Sequence, residues 1–270
     1  HASIATETKV TQMLKDKGID KKEIGRDEFI KHAWEWTDKY GGIITKQLKR
    51  LGSSCDWDRE AFTMSDGYYK SVIHGFVKLY HDGMIYKGER MINWDPKGLT
   101  ALSDEEVIHK EQQGSLWYFK YPIIGEDDYL IVATTRPETM LGDTGVAVNP
   151  NDERYSKYIG KKIMLPIVNK EIPIFADNYV DKDFGTGCVK VTPAHDPNDF
   201  EMAQRNNLHI LNIMNEDGTF SDNVPKAYQG LDRFVVRKMI IAKIEALELL
   251  DKIEDYTHQV GFSERTNVVV

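Results

Sequence analysis

The sequence predicts a mixed α/β fold with a β-rich centre. Residues 1 to about 90 carry apolar side chains at helical spacing, whereas the chain from residue 85 onward consists of short apolar runs separated by Gly, Pro, Asn and Asp. A last amphipathic pattern, opening at Asp232, indicates one long helix before a final strand. With 270 residues, 41% of them hydrophobic and 29% charged, the chain is long enough for one large or two modest domains.

The N-terminal part contains two helical patterns, each with an apolar face to bury. The first is interrupted at Gly41 and Gly42 and ends before Gly52; its apolar positions are Phe29, Ile30, Ala33, Trp34, Ile43, Ile44, Leu48 and Leu51. The second opens near Ser65 and ends before Gly83; its apolar positions are Tyr69, Val72, Ile73, Phe76, Val77 and Tyr80.

The central part is typical of a series of strands. Short apolar runs lie between turn residues at 117–121, 129–135, 146–148, 163–168, 171–175 and 188–191. Asp232 is placed to cap the helix that follows, whose apolar positions are Phe234, Val235, Ile240, Ile241, Ile244 and Leu247. Residues 256–262 then predict one more strand.

Composition disfavours several classes of protein. A run of about eighteen apolar residues and a basic leader are both missing, so we expect no membrane span and no signal peptide. Cys55 and Cys188 lack metal-ligand spacing and fit a reducing, cytoplasmic location. The net charge of −8 argues against a basic nucleic-acid-binding domain, although a small patch can still bind a structured RNA end. The start at His1 indicates an internal fragment of a longer protein.

One polar cluster, residues 134–144 (TTRPETMLGDT), follows the strand predicted at 129–135. Pro137 suits the first turn of a helix, which places Thr135 and Arg136 at a strand-to-helix corner with free backbone donors for a polar ligand. The alternative is a capped turn, in which the threonines are caps and Glu138 lies favourably near a helix N-terminus. From these residues alone the capped turn is favoured.

A second polar cluster spans residues 185–200 (GTGCVKVTPAHDPNDF). Lys190 and Thr192 lie two apart on a predicted strand and therefore face the same side. Pro193 ends that strand, and Asp196 or Asp199 begins the next helix. Open α/β proteins often bind ligands at such strand ends, so the cluster predicts a polar pocket.

Other interpretations of this second cluster remain open or weaker. Helix capping alone explains His195, Asp196 and Asp199. One histidine and two carboxylates give weak support for a metal site, so none is predicted. Cys188 lies inside an apolar strand, which makes a thiol nucleophile unconvincing. The residues do not name the substrate of the pocket.

The two clusters, in this order, resemble the editing domain shared by the valyl, isoleucyl and leucyl tRNA synthetases. The segment GTGCVKVTPAHDPNDFEMA is most similar to the valyl branch. The resemblance covers essentially the whole chain, through HASIATE at the start, GGIITKQLKRLGSSCDWDRE at 41–60, NWDPKGLTALSDEEV at 93–107 and HQVGFSERT at 258–266. Cys188 stands where alanine is more usual in the family.

The resemblance implies a β-rich, barrel-like editing domain inserted in part of a Rossmann-type catalytic domain. Residues 1–92 would belong to the catalytic domain and its connecting segment, 93–112 and 256–270 to a linking stalk, and 113–255 to the editing domain. The ATP-binding signatures of the family, HIGH-like and KMSKS-like, are absent. We therefore expect no cofactor in the fragment, ATP and magnesium only in the parent enzyme, and no aminoacylation by the fragment alone. No cysteine accompanies residues 93–96, so no zinc is expected.

The implied function is hydrolysis of the ester in mischarged Thr-tRNA(Val), with the tRNA(Val) acceptor end and threonine as partners. Residues assigned to catalysis are Thr135, Arg136, Lys190 and Asp199, and those assigned to substrate binding are Thr134, Thr139, Thr192, His195 and Asp196. Asp199 would anchor the substrate ammonium and Thr139 would limit side-chain size. Lys190 and Thr192, with Asp196, would read the threonine hydroxyl. Arg136 and Thr135 would hold the terminal adenosine or orient the ester. For His195 an orienting role is favoured over the alternative role of general base.

Two rival functions remain. An isoleucyl or leucyl editing fragment would prefer another charged tRNA. A non-catalytic docking module would bind tRNA and leave the ester intact. The sequence does not give the oligomeric state.

Overall fold

A computed structural model describes residues 3–183 and 185–270. The chain divides into two compact units, 1–90 and 91–270. The described part of the first is helical, and the second contains the strands. The assignment of these parts to a catalytic domain, a stalk and an editing domain stays a prediction.

Residues 3–90 of the first unit form four α-helices, α1 (Ser3–Asp16), α2 (Lys21–Tyr40), α3 (Ile43–Arg50) and α4 (Asp66–His81). Asp20 caps α2 by accepting a hydrogen bond from the Lys22 amide at 2.8 Å. Gly25 kinks α2 with φ 75°, a value that glycine adopts at little cost. The predicted interruption at Gly41 and Gly42 is confirmed, since α3 begins directly after Gly42.

The predicted apolar faces of this unit do not form a common core. Among its described residues, only Val10 and Leu14 of α1 are buried. Exposed apolar side chains on α3 and α4 include Ile43, Ile44, Leu48, Tyr69, Val72, Ile73, Phe76, Val77 and Tyr80. The helical periodicity was therefore informative about local structure but not about burial within residues 3–90.

The described part of the second unit contains three sheets. The smallest pairs β1 (Asn93–Asp95) with β2 (Thr100–Leu102), and the next has β3 (Val107–Pro122) between β4 (Tyr129–Thr134) and β9 (Leu250–Ser263). The third has the order β6 (Lys162–Leu165), β7 (Lys170–Ala176), β5 (Gly145–Val148) and β8 (Cys188–Val191). Strand β5 runs parallel to β7 and antiparallel to β8. Two helices, α5 (Pro197–Asn206) and α6 (Arg233–Ala246), complete the unit.

The predicted mixed α/β class is confirmed, whereas the barrel-like form is not. In the described part of the unit the strands form separate open sheets, and none closes on itself. Each predicted central strand is present. Strand β9 is longer than the predicted 256–262, because it pairs with β3 from Val107↔Ser263 to Phe119↔Leu250.

The core of the second unit lies where α6 packs near the sheets. Asp232 caps α6 as predicted, accepting from the Phe234 amide at 2.8 Å. Buried residues of this core include Phe119, Leu130, Val132, Val146, Ile163, Ile172, Ile174, Val236, Ile240 and Ile244. None of the helices within residues 3–183 and 185–270 combines the length and hydropathy that a membrane crossing needs.

Candidate functional site

The two polar clusters lie side by side in the structure. Strand β4 ends at Thr134 and a short 3-10 helix, Pro137–Gly142, follows it with Pro137 in its first turn. This segment leads into β5, which pairs with β8, and the Thr144 amide donates to the Val191 carbonyl at 2.9 Å. The pairing of β5 with β8 thus brings residues 134–144 against residues 188–199.

Lys190 is the centre of a buried hydrogen-bond network. Its Nζ donates to Thr139 Oγ1 and to Asp143 Oδ1, each at 3.0 Å, and also to Thr192 Oγ1. A lysine ammonium has three N–H groups, so these three acceptors use all of them. The predicted placement of Lys190 and Thr192 on one side of the strand is confirmed, but Lys190 keeps no free donor for a substrate.

Asp143 and Tyr121 complete this network, and the sequence interpretation missed both. Thr192 Oγ1 donates to Asp143 Oδ1 at 2.6 Å, and the Tyr121 hydroxyl donates to Asp143 Oδ2 at 2.7 Å. Asp143 has no exposed surface, and burial raises its pKa while Lys190 and the donated hydrogen bonds oppose that rise. Tyr121 lies on β3, so only the tertiary fold brings it to Asp143.

The two aspartates of the second cluster have different roles in the fold. Asp196 caps α5, its Oδ1 accepting from the Asn198 amide at 2.8 Å and the Asp199 amide at 3.2 Å. Asp199 Oδ2 accepts from the Thr192 amide at 2.8 Å, and its Oδ1 has no hydrogen-bond partner among the described residues. Burial raises the pKa of Asp199 to about 7, against the lowering effect of Lys190. Asp199 therefore offers one carboxylate oxygen to a cationic group.

Arg136 and His195 connect the two segments. Arg136 Nη1 donates to the His195 carbonyl at 2.9 Å, and its amide donates to Thr134 Oγ1 at 3.0 Å. The Ile213 amide donates to His195 Nε2 at 3.3 Å, which leaves the ring proton on Nδ1. Burial, followed by the charges of Arg136 and Lys190, lowers the pKa of His195 to about 3. His195 is therefore a neutral, weakly basic ring held in place.

Two further residues of the first cluster are placed differently. Thr135 is partly buried between β4 and the 3-10 helix. Glu138, interpreted from the sequence as a favourable charge near a helix N-terminus, is fully buried and accepts from Arg237 Nε and Nη2, each at 2.7 Å. This bidentate ion pair joins the first cluster to α6.

The structure also describes the surroundings of the thiol and of the metal-ligand types of side chain. Cys188 is buried, and burial raises the pKa of its thiol to about 12, so it is not a nucleophile near neutral pH. Within the described ranges, no group of three or more His, Cys, Asp or Glu side chains is arranged to hold a metal ion.

Thr144 yields a stability prediction. Its Oγ1 is the one buried side-chain oxygen or nitrogen in the described part of the chain without a hydrogen-bond partner. Thr144→Val keeps the shape and removes the unsatisfied hydroxyl, so we expect the free energy of unfolding to rise by about 1–3 kcal/mol. Urea denaturation measures the change. Thr192→Val is the matched control and should instead lower stability, because Thr192 Oγ1 bonds Asp143 and Lys190. Equal changes in stability for the two substitutions would contradict the conclusion that the Thr144 hydroxyl is unsatisfied and the Thr192 hydroxyl is not.

Comparison with known proteins identifies the family. A family model described as tRNA synthetases class I (I, L, M and V) matches residues 1–261. This chain belongs to the class I tRNA synthetases. The family resemblance seen in residues 134–144 and 185–203 is thereby confirmed, and the geometry above describes a class I tRNA synthetase.

The resemblance to the valyl branch is also confirmed. The chain is 57% identical over 270 residues to a valine–tRNA ligase of Bacteroides fragilis, covering 100% of this chain and 31% of that relative. The valine–tRNA ligase of Francisella tularensis is 54% identical over 100% of this chain and 29% of its own length, and that of Staphylococcus haemolyticus 54% over 100% and 31%. This synthetase chain thus spans about a third of the length of the curated relatives it matches.

A solved structure was also found by similarity of fold. The crystal structure of a ternary complex of Agrobacterium radiobacter K84 LeuRS with tRNA and LeuAMS has a TM-score of 0.40 and 18% identity. It covers 93% of this chain and 38% of that one. At this level of similarity it adds nothing to the family assignment.

Proposed function

We propose that this chain carries the post-transfer editing site of a valyl-tRNA synthetase and hydrolyses the ester of Thr-tRNA(Val). One observation carries the proposal: the two clusters form one buried polar network that ends in the unpaired Oδ1 of Asp199. A second pocket is needed because valine and threonine are nearly isosteric. Valyl-tRNA synthetases are the standard example of this difficulty, because their synthetic pocket favours valine over threonine by only about 10².

Asp199 anchors the substrate in this proposal. The α-ammonium of the esterified amino acid donates to Asp199 Oδ1, the carboxylate oxygen to which no described residue donates a hydrogen bond. Charge-assisted hydrogen bonds of this kind are the stronger ones in proteins. The ammonium fixes the amino acid, and with it the ester carbonyl, relative to β8.

The hydroxyl of the substrate threonine is recognised by hydrogen-bond acceptors of the site rather than by Lys190. Thr192 Oγ1 and Thr139 Oγ1 each accept from Lys190, and a hydroxyl oxygen has two lone pairs, so each retains one. The substrate hydroxyl donates to one of these. Valine offers a methyl group there instead and forfeits about 0.5–1.5 kcal/mol of hydrogen bonding. Lys190 holds both hydroxyls in place.

The hydrolytic step uses water. Water oxygen attacks the ester carbonyl carbon, the bond from that carbon to the ribose oxygen breaks, and the water proton passes to that oxygen. Free threonine and tRNA with a terminal hydroxyl leave. His195 is not the base, because its pKa is about 3 and its Nε2 already accepts from Ile213. Arg136 and Thr135 orient the ester, with the neighbouring ribose hydroxyl assisting the water.

The same proposal includes the domain arrangement and the activity of the whole protein. Residues 113–255 act as the editing domain, inserted in a Rossmann-type catalytic domain and joined to it through 93–112 and 256–270. The whole protein ligates valine to tRNA(Val) with ATP and magnesium in the cytoplasm. The chain length relative to the curated relatives and the family membership support this setting.

The experiment is deacylation of Thr-tRNA(Val) by excess chain, followed as release of free threonine. Thr-tRNA(Ile) is the matched control for tRNA identity. Release from Thr-tRNA(Val) supports the proposal. Intact ester on both tRNAs, at chain concentrations that saturate binding, would contradict it.

The reaction should depend on pH through Asp199. Because its pKa is about 7, the free chain gains the ionised carboxylate as pH rises, and kcat/KM should increase up to tenfold per pH unit below about 7. Above about 8 the substrate ammonium, an α-amino group, loses its proton and kcat/KM should fall. Single-turnover deacylation across pH 5.5 to 9 measures the profile. A flat profile between pH 5.5 and 7 would contradict the role of Asp199.

A tRNA-docking module without hydrolysis is the second candidate. It is favoured by one observation: two cationic residues, Lys97 and Arg233, line a cavity of about 200 Å³ together with the exposed ring of Phe234. Binding of tRNA with an intact ester would support it.

A further inference from the structure

The buried carboxylate of Asp177 holds the C-terminal end of α5. Asp177 directly follows β7 and is 7% exposed. Its Oδ2 accepts from Arg205 Nε at 2.8 Å, and its Oδ1 accepts from Arg205 Nη2 at 2.9 Å. Asn206 Nδ2 also donates to Oδ2 at 2.9 Å, and the Tyr179 amide donates to Oδ1 at 2.9 Å. Because Arg205 and Asn206 are the last residues of α5, the helix end is tied to the end of β7.

The bonds to Asp177 fix the orientation of the helix end as well as its position. A bidentate arginine–carboxylate pair has a defined geometry in addition to its strength. Burial alone would raise the pKa of Asp177, but the hydrogen bonds that it accepts, first of all from Arg205, hold this pKa below its ordinary value. The carboxylate is therefore ionised at neutral pH. Asp177 is anchored in turn, because its amide donates to the Val148 carbonyl at the end of β5 at 2.9 Å.

Helix α5 needs such contacts with the rest of the unit. It has 10 residues, and an isolated helix of that length is marginal in water. Its buried apolar side chains are Phe200, Met202 and Ala203. In its first turn, Asp199 Oδ2 accepts a hydrogen bond from the Thr192 amide. The end held by Asp177 lies about 10 Å further along the axis, at a rise of about 1.5 Å per residue, so these bonds act on Asp199 through the helix itself.

Asp199 is sensitive to the position of α5 because it is buried. It is 8% exposed, and burial raises its pKa to about 7. The charge of Lys190 lowers this pKa, and the charges of Asp196 and Asp143 raise it. The phenol of Tyr179 lies near enough for the charges of Asp196 and Asp199, after burial, to raise its own pKa. A displacement of α5 from β8 would therefore admit water to Asp199, lower its pKa and move Oδ1 away from the substrate ammonium.

We propose that Asp177 is a positioning residue for the proposed reaction. Its ion pair with Arg205 holds α5 against β8, so that Asp199 Oδ1 meets the α-ammonium of the aminoacyl ester. The inference rests on the proposed function, because it takes Asp199 as the anchor of the substrate. It goes beyond that function by assigning a role to an ion pair at the opposite end of α5 from the ester.

The test is an NMR titration of Asp199 in the 270-residue chain, labelled with ¹³C at its aspartate carboxyl groups, with Asp199→Asn used to assign the signal. Asp177→Asn keeps the shape of the side chain and removes its charge. Arg205→Lys keeps the charge and loses the bidentate geometry. The matched control is Glu106→Gln, which breaks another bidentate pair of the second unit, that of Glu106 with Arg265. Circular dichroism verifies that each variant is folded.

The titration midpoint of Asp199 separates positioning from a merely structural role. In Asp177→Asn it should fall by about one pH unit or more, because a loosened α5 lets water reach the carboxylate. Arg205→Lys should give a smaller fall, and Glu106→Gln none. If Asp177 only stabilised the fold, Asp177→Asn would reduce the amount of folded chain and leave the midpoint of the folded part unchanged. An unchanged midpoint in this variant, or an equal shift in Glu106→Gln, would overturn the proposal.

Deacylation distinguishes this proposal from the function on which it rests. In Asp177→Asn, kcat/KM for Thr-tRNA(Val) should fall by about 10- to 100-fold, as for other small misplacements caused far from the reacting atoms. The acid limb of its pH profile should move to lower pH together with the Asp199 titration. If the wild type hydrolyses the ester and Asp177→Asn keeps its kcat/KM and pH profile, the positioning role is wrong and editing stands. If the wild type hydrolyses nothing while the Asp199 titration responds to Asp177→Asn as expected, editing fails and the hold of Asp177 on Asp199 stands.

Discussion

Asp199→Asn is expected to lower single-turnover hydrolysis of Thr-tRNA(Val) by about two to three orders of magnitude. The amide carries no charge, so the ion pair with the substrate ammonium is lost, and loss of one partner of a desolvated charge pair costs about 2–5 kcal/mol. Asp232→Asn is the matched control, because asparagine caps helices as well as aspartate and Asp232 lies at the N-cap of α6. Equal losses of activity in the two variants would contradict the anchoring role of Asp199.

Asp199→Asn should at the same time stabilise the fold at neutral pH. The pKa of Asp199 rises from an ordinary 3.8 to about 7 on folding, so the native state binds the proton more tightly. Between these values the unfolded chain ionises first, and stability falls as pH rises toward 7. The free energy of unfolding of the variant should therefore exceed that of the wild type at pH 8 and match it near pH 4. Urea denaturation at the two pH values measures this. A variant that is less stable than the wild type at pH 8 would contradict the raised pKa of Asp199 in the folded chain.

Lys190→Met is expected to destabilise the second unit by about 3–5 kcal/mol. It removes the cation from a fully buried Asp143, and an uncompensated buried charge is costly. It also deprives Thr139 and Thr192 of their shared donor. The urea midpoint of the chain measures the change.

A double-mutant cycle with Asp143→Asn identifies the cause. The double variant no longer contains the buried charge. Its loss in free energy of unfolding should therefore be smaller than the sum of the losses in the two single variants by more than about 1 kcal/mol. Additive losses would show that the pair is not coupled. The cycle also matters for function, because loss of hydrolysis in Lys190→Ala alone does not separate substrate contact from collapse of the network.

Much of the site could be predicted from local pattern. Strand alternation placed Lys190 and Thr192 on one side, and Pro137 correctly indicated a strand-to-helix corner. The role of Asp143 was not predicted, because a carboxylate between Gly142 and Thr144 is typical of an ordinary turn. Its role depends on Tyr121, which comes from β3 through the fold and carries no local signal.

The fold could be predicted where burial imposes a pattern. The central strands and α6 have apolar residues at the spacing of their buried faces, and they were found. The first half of β9 was not, because residues 250–255 are polar and largely exposed and their strand conformation depends on pairing with β3. The apolar faces of α3 and α4 gave their helical form correctly but not their exposure.

The most direct measurement is the ratio of single-turnover deacylation rates of Thr-tRNA(Val) and Val-tRNA(Val) with the 270-residue chain in excess. Each rate is compared with that of Asp199→Asn. The account predicts faster loss of threonine than of valine, and a ratio that falls toward one in the variant. Equal rates for the two esters, or a ratio unchanged by Asp199→Asn, would contradict an editing site at Asp199.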